Sequence, residues 1–531
     1  MRILSFSRTR RRAISTLLAL SLAACGTVPR ESGMDAQSVN QRLMREPLAR
    51  ADVQLLDRIS WGVSPTDAAK YSAQGRTAYL NGQLHPRGDL GMPAAIQAQI
   101  NGLTISKTPL LSLIAQEREQ NEALKKITDP SEKQAARQAE QTYLNTLARE
   151  AATRSLLRDI YASDQLREQL VWFWFNHFNI TQNKADIRLF VGDYEEHAIR
   201  PYALGTFRDL LGATLRHPAM LLFLDNSQNA AGRLNENYAR EIMELHTMGV
   251  GSGYTQTDVQ ELARILTGVG VNENPPTNAP VMRGPHANDY VRNGAFEFNP
   301  NRHDYGTKHF LGHTIQGAGM REVNEALDLI AKAPATAHFI SRQLAMAFVS
   351  DNPPPALVNR MAATFQETGG DIADVMQTMI ASPEFPASLD KQFKDPIHYA
   401  VSAIRLSYDT RPIRNVTPVV SWLNRMGESL YGRETPDGYP LMTAAWSAPG
   451  QMATRFDIAR AIGSGGAGLF RLMTPDGQGQ DEAAFPQLNG PLFFASIEPS
   501  LSTATRQALG LATTPQEWNT LFLASPEMMH R

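Results

Sequence analysis

Cysteine is almost missing from this chain: Cys25 is the only one in 531 residues. A single thiol cannot close an internal disulfide, and it excludes an iron–sulfur cluster or a thiolate zinc site built within the chain. An excess of one charge is missing too. The 51 basic and 53 acidic residues leave a net charge of −2, so no bulk field draws the chain to nucleic acid or acidic lipid. No Gly-x-Ser-x-Gly elbow, no His-Glu-x-x-His pair and no phosphate loop occurs, which removes the commonest nucleophile, metalloprotease and nucleotide signatures. With 42% hydrophobic and 20% charged residues the chain is too apolar for disorder.

What is present starts with a targeting pattern. Arg2, Arg8, Arg10, Arg11 and Arg12 precede an apolar stretch from Ala13 to Ala24. That stretch is shorter than the roughly 20 residues a membrane-crossing helix needs, and the order is that of a signal peptide, expected over residues 1–24. Leu22-Ala23-Ala24-Cys25-Gly26 looks like a bacterial lipobox, which makes Cys25 the expected lipidation site. Gly26, rather than Asp, resembles the pattern of lipoproteins sent to an outer membrane. Thr9 to Ile14 reads either as a twin-arginine signal or as a generic basic segment. Residues 25–45 are expected to form the lipid anchor and tether, polar from Thr27 to about Gln41. The expectation is a lipid-anchored protein of the cell envelope, held in an outer membrane and facing the periplasm or the cell surface.

Beyond the tether, helical periodicity dominates. Leu144, Leu147, Ala148 and Ala151 repeat at helical spacing inside a charged stretch from about Gln116 to Ser163. Pro130-Ser131 interrupts it, which predicts a long helical hairpin. Helices are expected at about 164–178, 184–199, 205–216 and 235–248, and one from Thr257, where Thr257-Asp258-Val259-Gln260 has capping-box form. A further series is expected at 320–333, 335–350, 355–368, 371–381, 395–409, 415–428 and 450–463. Residues 271–302 read as a long loop; the alternating Phe296 and Phe298, then Lys308 to Ile315, suggest a small β-hairpin. Glycines from Gly463 to Gly479 mark a second excursion. No fixed-period repeat appears. The fold class is therefore mainly α, with residues 46–525 as one large multi-helical body carrying a small β-hairpin insertion.

The densest polar segment runs from Asn235 to His246. At about 100° per residue, Tyr238, Ile242 and Leu245 share an apolar face, while Asn237, Glu241 and Glu244 share a polar one. Glu236, Arg240 and Glu244 form a ladder of alternating charge. These residues read either as a solvated face held by weak ion pairs or as a carboxylate pair in a cleft, where repulsion lifts one pKa and sets an acid beside a base. His246 falls on the apolar face, about 140° from Glu241, and His177 shares a face with Leu166, Leu170 and Phe173. Both should point inward and need polar partners. His303-Asp304 through Lys308-His309 adds imidazole, carboxylate and ammonium groups. His309 and His313 are expected on one face of a strand, too far apart to chelate together.

Asn176-His177-Phe178, then Asn235 through Glu241 to Thr247, is similar to a large bacterial family known as domain of unknown function 1800. Gly253 to Gln256, Glu261 to Arg264, Leu266-Thr267-Gly268, His303-Asp304, Gly306, Lys308, and the later Pro436 to Pro440, Trp446 and Arg455 continue the resemblance. Val269 departs from it, since the family often has Trp there. The resemblance implies an exported, mainly helical bacterial protein, often encoded beside an exported protein of the sulfatase and alkaline phosphatase superfamily, and it implies no agreed activity.

Three functions follow as expectations. One is a glycan-acting hydrolase with Glu241, Glu244, Asp304 and His246 as catalytic candidates, and His177, Asn237, Arg240, His303, Lys308 and Trp446 as substrate-binding candidates. Trp172, Trp174, Tyr439 and Trp446 are candidates for stacking on sugar faces. Another is a metal-dependent hydrolase or oxidoreductase using His177, His246 and His303. The last is a non-catalytic scaffold or partner of the sulfatase-like protein. No motif names a cofactor.

Overall fold

The computed structural model describes residues 35–88, 91–274, 281–471 and 484–531. The signal peptide, Cys25, Gly477 and Gly479 lie outside the described residues. The tether reading meets a limit here: Ala36–Arg45 is already helical, capped by Asp35, whose carboxylate accepts the Ser38 amide at 2.8 Å. Val39 and Leu43 are buried, and this helix packs on Pro65–Gln74.

The fold is mainly α, with strands confined to two small antiparallel sheets. The long hairpin forms where Pro130 predicts it, as helices Leu110–Lys126 and Pro130–Tyr161. Pro130 occupies the first turn, where its missing N–H costs nothing, and Asp129 accepts the amides of Ser131 and Glu132, both at 2.9 Å. The next helix, Gln165–His177, is buried on nearly every side, with only Arg167 and His177 partly exposed. Such a helix belongs at the centre of a large body. Glu168 fixes it by accepting both terminal nitrogens of Arg200, at 2.5 and 2.6 Å.

Three π turns break the 100° period among the described residues; one is Phe493–Ile497, and the other two continue α-helices. Ile187–Asp193 runs into a π turn, Tyr194–Ile199, and Asn237–Glu241 runs into another, Ile242–Thr247. Each π turn carries an extra residue, and such turns frequently sit at functional sites. The angles assigned to Glu244 and His246 on a regular wheel therefore do not hold. The helix expected from Thr257 instead spans Gln256–Ile265 with Thr255 as its cap, because Asp258 is the third residue after Thr255 and the two exchange hydrogen bonds.

The first sheet joins β1 (Val269–Val271), β2 (Val291–Asn293) and β3 (Phe296–Phe298) in the order β1-β3-β2. Val269, where the family often has Trp, is buried and pairs with Phe298. The second sheet is the hairpin β4 (Lys308–Phe310) and β5 (His313–Ile315). His309 and His313 thus stand on different strands rather than on one, because Leu311 and Gly312 turn the chain between them with φ of +49° and +78°.

Candidate functional site

The Gln165–His177 helix organises the site because segments far away in sequence are stitched to it. The Asn176 side chain accepts the Tyr439 amide at 2.6 Å and donates to the Tyr439 carbonyl at 2.9 Å. Asn179 donates to the carbonyls of Arg433 and Thr435, at 3.0 and 2.8 Å. Gly438 has φ +70°, and a Cβ there would stand 2.2 Å from the Asn176 carbonyl oxygen, so the close approach requires glycine. Trp446 closes this strap: its indole donates to the Pro440 carbonyl at 2.9 Å, and its ring lies 6.1 Å from that of Tyr439.

Beneath the strap is a cleft lined by Gln169, Trp172, Asp395, His398, Glu428 and Arg531, with Tyr439 and Trp446 at its wall. It leaves about 40 Å³ for solvent, room for about three waters. Asp395 caps the Pro396–Tyr408 helix, accepting the His398 amide at 2.8 Å, and also meets the His398 Nδ1 at 2.7 Å. His398 Nε2 is 2.5 Å from an Arg531 Nη1. A guanidinium only donates, so Nε2 must accept, and Nδ1–H must donate to Asp395. The imidazole is therefore neutral, in accord with burial and then Arg531 holding it down at about 4. Burial raises the Asp395 carboxyl, but its contacts with His398 and Arg531 outweigh burial and hold it below the ordinary carboxylate range. Glu428, 2% exposed, accepts the Ile397 amide at 2.9 Å. Burial, then the nearby Asp395, pushes its carboxyl well above the ordinary range. The fold thus drives the two carboxyl groups of the cleft in opposite directions, Asp395 toward its ionised form and Glu428 toward its protonated form.

Of the catalytic, binding and stacking candidates, only Trp446, Trp172 and Tyr439 line this cleft, joined by Asn176 and Pro440 of the motifs that carry the resemblance. Trp174 is fully buried, its indole donating to the Ala203 carbonyl at 3.0 Å. His177 is partly buried, with Nε2 2.9 Å from the His246 carbonyl oxygen; burial holds its pKa down at about 4. The His177 and His246 rings lie 6.2 Å apart, and His246 is 0% exposed with neither ring nitrogen hydrogen-bonded. The charge ladder is present: Arg240 reaches Glu236 at 3.1 Å and Glu244 at 3.2 Å. Glu241 is partly buried, and burial followed by Glu244 raises its pKa. Asn237 is exposed and donates to the Leu224 carbonyl at 3.2 Å.

The third segment forms a separate network. Glu322 takes His303 Nε2 and Lys308 Nζ on its two oxygens, each at 2.5 Å, with all three side chains 0% exposed. Asp304 accepts Arg264 Nε at 2.8 Å and the Gly306 amide at 2.8 Å. Neither Asp304 nor His303 exchanges a hydrogen bond or ion pair with Glu241, Glu244 or His177. Among the described residues no group of three or more His, Cys, Asp or Glu is arranged to hold a metal ion.

No sequence pattern singles out Asp395, His398, Glu428 and Arg531 together as a site. One local signal existed: in Asp395-Pro396-Ile397-His398 a cap carboxylate and the imidazole three residues later can meet. Nothing local announces Arg531, which lies 133 residues from His398.

No curated protein and no solved structure matches the chain. Residues 54–530 match the family described as protein of unknown function (DUF1800), nearly the whole length, and the chain belongs to that family.

Proposed function

We propose that this chain is an exported hydrolase of the cell envelope that acts on a glycan through Asp395 and Glu428. One observation carries the reading: two carboxyl groups driven in opposite directions line a single cleft walled by Tyr439 and Trp446. Glu428 would protonate the leaving oxygen, and Asp395 would serve as base toward water or as nucleophile. His398 is a positioning residue, held between Asp395 and Arg531. Trp172, Tyr439 and Trp446 offer rings for stacking on sugar faces. The present space suits water rather than a sugar ring, so the reading requires the strap from Pro436 to Trp446 to move outward when substrate enters.

Glu241 and Glu244 support the reading less well, since Glu244 is tied to Arg240 and both stand on a partly exposed flank. Lipidation at Cys25 and an outer-membrane address rest on the basic segment, the apolar stretch and the lipobox-like Leu22 to Gly26. The sulfatase-like exported protein is the proposed partner on the strength of the family resemblance.

The test is release of soluble fragments from purified envelope glycans by the full chain and by Glu428→Gln. The amide keeps the shape of a protonated carboxyl but cannot deliver the proton, so activity should fall at least about 100-fold in a folded protein. Undiminished release by the variant would remove Glu428 from the chemistry, and no release by the unaltered chain would remove the glycan reading.

A further inference from the structure

A second cleft, of about 540 Å³, shares no lining residue with the one under Trp446. One wall is the Phe207–Arg216 helix, where Arg208, Gly212 and Arg216 recur every four residues and so stand on one face. A Cβ on Gly212 would lie 2.8 Å from an Nη1 of both arginines. The missing side chain therefore leaves the space into which the two guanidinium groups converge.

Asn324 holds them from behind: its carbonyl accepts an Arg208 Nη2 at 3.2 Å, and its side-chain oxygen accepts an Arg216 Nη2. Arg208 also pairs with Asp328 through Nε, at 2.5 Å. Arg216 is partly buried and has no carboxylate partner among the described residues. The acids on the cleft wall are engaged elsewhere. Asp193 takes His197 Nδ1 at 2.8 Å and His217 Nε2 at 3.0 Å, and Asp209 accepts the Thr206 hydroxyl at 2.8 Å. His197 is largely exposed on the same cleft. Two adjacent guanidinium groups, one without a counter-charge, are a poor arrangement unless an anion completes it, and their planar forks match a tetrahedral oxyanion.

We propose that this cleft binds a sulfate or phosphate group between Arg208 and Arg216, with His197 at the entrance. Leu110, Tyr202 and Phe296 supply an apolar wall against which the body of an ester would lie.

Titration calorimetry on the full chain tests this with four probes: inorganic sulfate, inorganic phosphate, glucose 6-sulfate and glucose 6-phosphate. At least one should bind saturably. Arg216→Gln should weaken that binding at least tenfold. Gly212→Ala favours the helix, so it keeps the fold, and its methyl group should push the two guanidinium groups apart and weaken binding at least threefold. Arg425→Gln, at an exposed arginine paired with Asp457 and outside the cleft, should change nothing. Tighter binding of an ester than of its free anion supports the site and assigns an ester; equal binding supports it and assigns the free anion. Failure of all four probes to saturate, or binding untouched by both Arg216→Gln and Gly212→Ala, overturns the proposal.

Discussion

Replacing Glu322 by glutamine separates a structural staple from a binding site. The carboxylate takes His303 and Lys308 at 2.5 Å each, and also the amides of Ala318 and Gly319 at 2.9 and 3.2 Å. Every side chain in the triad is 0% exposed. Glutamine has nearly the same volume, so packing is kept and only the charge is lost. Lys308 then stays buried without its counter-charge, its remaining partner being the Asp304 carbonyl. Breaking a buried pair in this way costs about 3–5 kcal/mol, and the midpoint of urea unfolding should fall accordingly. A pH series supplies the sign. Burial raises the Glu322 carboxyl, but its hydrogen bonds to His303 and Lys308 outweigh burial and hold it below the ordinary range. Its contribution should be complete above the unfolded pKa of about 4.5 and fade as pH falls through the lower folded value. A loss under about 1 kcal/mol would mean that the triad is open to water, and His303 and Lys308 would return as ligand-binding candidates.

Other outcomes follow from the same geometry. Asn176→Ala removes two hydrogen bonds to the Tyr439 backbone, which should cost about 2–3 kcal/mol and shift Trp446 fluorescence toward the solvated range. His177 is held at about 4 by burial, so the unfolded chain takes up a proton first as pH falls from 6.5 toward 4; stability should drop across that window by about 3 kcal/mol, read from urea midpoints, and His177→Gln should flatten the slope. Cys25→Ser should move the protein from the membrane fraction to the soluble or unprocessed fraction; persistence with membranes would refute the lipobox reading.

How much of this was legible in the sequence depended on range. Pro130 behind Asp129 announces the hairpin because helix starts are written locally. His246 is inward as its apolar neighbours predict, yet nothing in the sequence announces the π turn, Ile242–Thr247, that carries it, because no residue type demands the extra residue. The cap is Thr255, two residues before the Thr257 that the sequence pattern suggests, because two threonines precede Asp258 and backbone geometry chooses between them. The site was the least legible part. Asp395 reads as an ordinary helix cap, and its second role depends on Glu428 and Arg531, brought in by tertiary packing. Asn176 and Gly438 belonged to the recognised motifs, but their contact, 263 residues apart for the neighbouring Tyr439, required the fold.

The claim at the centre is that the fold drives the Glu428 carboxyl toward its protonated form beside Asp395, which it drives toward the ionised form. Infrared difference spectra of the full chain against Glu428→Gln, taken from pH 4 to pH 8, read this directly. The account predicts a protonated carboxyl band at pH 7 that the variant lacks. Because burial and Asp395 raise this carboxyl above its unfolded value of about 4.5, native stability should decline as pH rises above that point, and the variant should be at least as stable at pH 7. A band already lost by pH 5 as the pH is raised, with no stability difference between the two proteins, would contradict the account.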